Sequence, residues 1–131
     1  MGDEQTRVVD DARFTLGLED FNAGNYFEAH EAWESVWDEL VGAEKQLCQG
    51  LVQVAAGYHK LSLGVAGGAR KLLERGLRLL RVAGGDRHEL NLSEFCAGVE
   101  DDLRRLQQPG GDAGADLSLV RVPTLRRQIN R

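Results

Sequence analysis

Cysteine is scarce: Cys48 and Cys96 are the only two in 131 residues. Two such residues fit the reduced thiols of a cytoplasmic protein better than a disulfide framework. Cys48 falls inside a helical pattern and Cys96 near an apolar face, which are positions of packing residues rather than nucleophiles. Positive charge is in deficit, with a net charge of −5, and this disfavours general nucleic-acid binding. Long apolar runs are missing, so no stretch reaches the length of a membrane span. The opening Met1-Gly2-Asp3-Glu4-Gln5 is acidic and polar, unlike a signal peptide, so the expected location is cytoplasmic. Strand patterns and a convincing internal repeat are lacking as well. What remains is a chain long enough for one domain with a real core.

The apolar residues recur at helical spacing throughout. Asp3 is positioned to cap a first helix running to about Ala23, with Phe14, Leu18 and Phe21 on one face and Leu16 off it. Asn25 and Glu28 have capping-box spacing and start a second helix from Tyr26 to about Val41. A third, from about Ala43 to Leu63, carries Leu47, Leu51, Val54, Ala55, Tyr58 and Leu61. Gly50 and Gly57 interrupt it, and such residues suggest close approach of another backbone or a bulky ring, with the Trp33 or Trp37 ring the first candidate. A fourth, about Ala66 to Ala83, has the cleanest stripe, and Arg70, Lys71, Arg75, Arg78 and Arg81 lie on its other faces. Asn91 and Glu94 start a fifth, to about Gln108. The reading is an all-α, single compact bundle of about five helices over residues 1–108. A flexible break at Pro109–Gly114 and an extended or frayed tail complete residues 109–131.

The chemistry concentrates in Tyr26-Phe27-Glu28-Ala29-His30-Glu31-Ala32-Trp33-Glu34. Helical spacing puts Tyr26, His30, Trp33 and Trp37 on one face, with Glu34 one turn beyond His30 at its edge. If the short Gly42 loop folds the third helix back, His59 arrives near His30, and Gln53 nearer the middle of the hairpin. His30, Glu34 and His59 would suit zinc or iron. The chain lacks the second histidine of H-E-x-x-H, and it lacks the E-x-x-H of di-iron bundles. A hydrogen-bonded structural His–Glu pair and a metal-free ligand site are the competing readings. Gln49 and Gln53, with Gln46 one turn before, either satisfy buried polar groups or line a solvated edge.

These residues give the chain a resemblance to a family of small bacterial, archaeal and plant proteins, catalogued as "domain of unknown function 309". The pattern is Gly24, Tyr26 or Phe27, Glu28, His30, Glu31, Trp33 and Glu34. Gln49-Gly50-Leu51-Val52-Gln53, Ala55-Ala56, His59, Gly68-Ala69 and Leu72 follow. The likeness covers about Phe14 to Leu80. Val65 follows Gly64 where the family usually has Asn, and Lys45 stands where it commonly has Arg. The resemblance implies a compact all-helical bundle and brings no established activity, substrate or cofactor.

The functional expectation is a small binding or interaction module. Its candidate ligand-binding residues are His30, Glu34, Trp33, Gln49, Gln53 and His59, with a small molecule as one ligand class. The alternative is a hydrolase, metal-dependent or using His30 as general base with Glu34 or Glu31 orienting it. The acidic second helix and basic fourth helix point to a homo-oligomer, a dimer first, with neither nucleic acid nor membrane as partner.

Overall fold

The computed structural model describes residues 7–84, 89–107 and 115–128. Five α-helices appear in order: α1 (Ala12–Asn22), α2 (Tyr26–Trp37), α3 (Gly42–Ser62), α4 (Ala66–Gly84) and α5 (Leu92–Leu106). Short 3-10 turns at Val8–Asp10 and Leu117–Leu119 flank them. Among the described residues the only strand-like pairing is an isolated bridge between Leu90 and Arg127. No helix among them is long and apolar enough to cross a membrane.

The start of α1 comes later than expected. Asp11 caps it, its carboxylate accepting from Arg13 N at 2.8 Å, while Asp3 lies outside the described residues. Phe14, Leu18 and Phe21 are buried and Leu16 is exposed, as the stripe required. Two helix starts depart from the capping-box expectation: neither Asn25 nor Asn91 makes a side-chain cap hydrogen bond. α2 also stops at Trp37 rather than Val41. Its end tightens into i→i+3 bonds, Glu39 N to Val36 O and Leu40 N to Trp37 O. Leu40 is buried there, and Gly42, at φ +60, turns the chain back.

α3 is the central element, packed on α2 along one side and on α4 along the other. The glycines that interrupt it face α4, not a tryptophan. A Cβ on Gly50 would lie 2.8 Å from Leu80 and 3.1 Å from Gly76 O, and one on Gly57 would lie 2.9 Å from Leu73. The missing side chains therefore bring two helix backbones together. Trp33 sits elsewhere, fully buried, with its indole N–H donating to Phe14 O at 3.1 Å in α1. The small residue beneath its ring is Gly17. α4 does not lay its basic face against α2, which packs chiefly on α1 and α3. Arg81 pairs with Glu100 of α5 at 2.8 Å.

The tail is extended, and polar side chains clasp it to the bundle. Asn22 exchanges two hydrogen bonds with the Leu125 backbone, at 2.8 and 3.1 Å. Asn91, released from capping, donates to Thr124 O at 3.0 Å and accepts from Arg126 N at 2.6 Å. Fully buried Asp102 accepts from Tyr58 Oη at 2.6 Å, Arg105 Nη1 at 2.8 Å and Arg121 N at 2.8 Å. A buried carboxylate is tolerable when donors surround it in this way. Leu125 is fully buried, so the tail closes the core.

Candidate functional site

The α2–α3 hairpin sets the register of the site. At its closed end the Lys45 ammonium lies 4.3 Å from the centroid of the Trp37 ring. Toward its open end the Phe27 ring lies 5.2 Å from the His59 ring and 6.4 Å from the His30 ring, nearly parallel to the latter at 24°. His30 and His59 thus share one neighbourhood, as the folding-back of α3 predicted, and Phe27 connects them. The ring remains 44% exposed. With Ala56, Lys60 and Leu63 these residues line a recess of about 270 Å³. Another recess opens on the other side of Phe27 and His59, bounded by Gly24, Asn25, Glu28 and Ser62.

His30 Nε2 and Glu34 Oε2 are 3.9 Å apart, beyond hydrogen-bond reach, with side chains 25% and 60% exposed. The spacing argument therefore brings the pair together at the rim, not as a buried structural bond. Glu31 faces solvent. Among the described residues no three His, Cys, Asp or Glu side chains are grouped as a metal ion requires, so His30, Glu34 and His59 do not form the ligand set expected of them.

The glutamines sit further along the seam. Gln49 lines a recess of about 430 Å³ with Trp37, Gly42, Lys45, Gln46 and Leu79. Gln53 is partly buried, and its Oε1 is buried without a hydrogen-bond partner, as is Trp37 Nε1. Trp33 belongs to the core rather than to a binding surface. Its ring lies 6.0 Å from that of Phe14 and 5.9 Å from that of Phe21, and none of it reaches solvent. The thiols are held as packing groups too. Burial, helped by the charge of Asp11, pushes Cys48 up to about 12, and burial raises Cys96.

Phe27, Lys60 and Leu63 were not among the expected site residues. Phe27 lies fifteen residues before Gly42 and His59 seventeen after it, so the hairpin register already placed the two near one level. It was masked by the usual assignment of aromatic residues to the core.

Residues 14–72 match the model of the family described as Domain of unknown function (DUF309). The resemblance to that family is thus shown over this segment. The matched segment runs from α1 to the first turns of α4, and it includes every residue lining the recess around Phe27. Leu79, in the recess around Trp37, lies beyond it. Neither the curated proteins nor the solved structures contain a match to the chain.

Proposed function

We propose that this protein is a helical binding module whose α2–α3 seam takes an anionic group carried on an apolar body. The observation behind this is the composition of the recess: Phe27, Ala56 and Leu63 supply apolar wall, while His30, His59 and Lys60 supply donors. Lys60 has no ion-pair partner among the described residues, and Leu63 is 65% exposed. A ligand carboxylate would accept from the ammonium and an imidazole N–H, with its apolar part against the Phe27 ring. Benzoate is a suitable probe, followed by backbone amide shifts. Saturable shifts confined to Phe27, His30, His59 and Lys60, weakened by Lys60→Ala and by His59→Ala, are expected. Shifts scattered over the surface, or unchanged by both substitutions, would overturn the reading.

Hydrolysis with His30 as base draws less support. Its carboxylate neighbour is at 3.9 Å and largely solvated, and Glu31 points away to water. Self-association, a dimer first, belongs to the same proposal. Glu28 and Glu31 of α2 with Asp38 just past its end are acidic, and Lys71, Arg75 and Arg78 of α4 are basic, all exposed and without ion pairs among the described residues. Sedimentation at micromolar concentration tests it, and a monomer at both low and moderate salt would remove it. Free, buried Cys48 and Cys96 suit the reducing cytoplasm in which we place the protein.

A further inference from the structure

The seam is longer than one recess. α3 turns Leu47, Leu51, Val54, Tyr58 and Leu61 to the core. Its other edge carries Gln46, Gln49, Gln53, Ala56 and Lys60, alternating by three and four residues and none of them fully buried. One recess lies at each end of that edge, marked on α2 by Phe27 and by Trp37. Ten helical residues separate these two, about 15 Å at 1.5 Å per residue. Between the recesses lies Gln53, with a buried, unpartnered Oε1, and the Trp37 indole carries a buried, unpartnered N–H. Such atoms cost free energy until something satisfies them.

We propose that this groove docks an acidic amphipathic helix of a partner protein. The inference rests on the reading of the Phe27 recess as a binding site, and extends it along α3. A helix of eleven residues spans about 16 Å in three turns, so side chains at i and i+11 point the same way. Two apolar anchors at that spacing fit the two recesses, with i+4 and i+7 lying over Gln53 and Ala56. Charge decides the sign of the partner. Lys45 and Lys60, one beside each recess on the α3 edge, have no carboxylate partner among the described residues, whereas Glu34 on the α2 edge already stands 3.9 Å from His30, so the free positive charge lies along α3. Acidic residues flanking the anchors would meet them. A second copy of this chain fits less well. Its acidic Glu28 and Glu31 of α2, with Asp38 just past the helix end, have no exposed apolar anchors at that spacing.

The test uses the full chain and a synthetic, N-acetylated eighteen-residue helical peptide. It carries leucines at positions 4, 8, 11 and 15 and a surplus of glutamate, and a scrambled peptide of equal composition is the control. Binding is read by isothermal titration and by the Trp37 indole N–H resonance. Expected are saturable binding, a shifted indole resonance, at least tenfold weaker binding of the scrambled peptide, and at least tenfold weakening by Lys45→Glu with Lys60→Glu. Thermal melts of that double variant check that it folds, and Lys45→Gln with Lys60→Gln gives an intermediate loss if charge is the cause. Equal binding of both peptides would overturn the proposal. So would a dimer in sedimentation that the double variant abolishes, because the groove would then belong to a second copy. If benzoate occupies the Phe27 recess while the peptide fails to bind, the helix groove alone is refuted. If neither binds, the recess reading falls with it.

Discussion

Gly17→Ala tests the core most sharply, because helix propensity and packing predict opposite signs. In mid-helix, alanine is favoured over glycine by about 1 kcal/mol. Against that, a Cβ at position 17 would stand 2.3 Å from Trp33 Nε1 and 2.6 Å from Cδ1, closer than real contacts allow. The ring has nowhere to retreat, being fully buried between Phe14 and Phe21. Overpacking of this kind costs about 1–3 kcal/mol. Displacing the indole also strains or breaks its bond to Phe14 O, and a buried N–H left unpaired costs about 1–3 kcal/mol more. Packing wins, with a net loss of about 3 kcal/mol. At about 2 kcal/mol per molar urea, the midpoint followed by circular dichroism drops by about 1.5 M. Gly67→Ala is the control, since a Cβ there meets nothing within 4 Å, and it should hold or slightly raise the midpoint. An unchanged or raised midpoint for Gly17→Ala would show that Trp33 is not seated on that glycine.

Gly50→Leu should destabilise by about 3 kcal/mol by forcing α4 away at Leu80 and Gly76, and retention of the wild-type urea midpoint would refute the close approach of the two helices. Asp102→Ala removes the acceptor for Tyr58, Arg105 and the Arg121 backbone, so a loss of about 2–4 kcal/mol is expected, with faster proteolysis between residues 115 and 128. Burial raises Tyr58 and Cys48, so both stay protonated in the fold above the pH at which the unfolded chain releases those protons. Stability should therefore hold up to about pH 9 and fall as pH rises from there toward 12, a trend read from urea midpoints. In the same conditions a thiol reagent at pH 8 should label Cys48 only after denaturant is added, and rapid native labelling would contradict its burial.

Helix content was legible because every helix repeats its apolar residues at the right period, and α4 and α5 do so without ambiguity. Helix ends were less legible. Asn25 and Asn91 have the right neighbours for capping, yet a capping residue must compete with every other claim on its side chain. Asn91 is claimed by the tail, through Thr124 and Arg126, and sequence spacing contains no information about a chain returning from thirty residues away. The choice of a tryptophan over a second backbone as the glycines' neighbour failed for a related reason. Periodicity shows that Gly50 and Gly57 need a close neighbour, but whether that is a ring or a backbone depends on which helix is adjacent. At the site, the i,i+4 pair and the approach of His59 followed from local geometry. The exposure of Phe27 did not, because burial is set by what fails to cover a residue.

The aromatic residues of α2 therefore have different duties, although Trp33 and Trp37 share one helix face in projection. Trp33 satisfies its only polar atom through Phe14, and its ring is enclosed by α1. Trp37, one turn on, has a buried N–H with no partner and a lysine above its ring, and Phe27 lies bare between two imidazoles. The difference arises from the neighbours. α1 covers the middle of α2, whereas the seam toward α3 is lined by glutamines, alanine and lysines too polar or too small to seal it. Phe27, Leu63 and Val65, exposed near the open end of the hairpin, gain little for the isolated fold there. These exposed apolar residues, beside polar atoms without partners, are the ground on which the proposed binding rests.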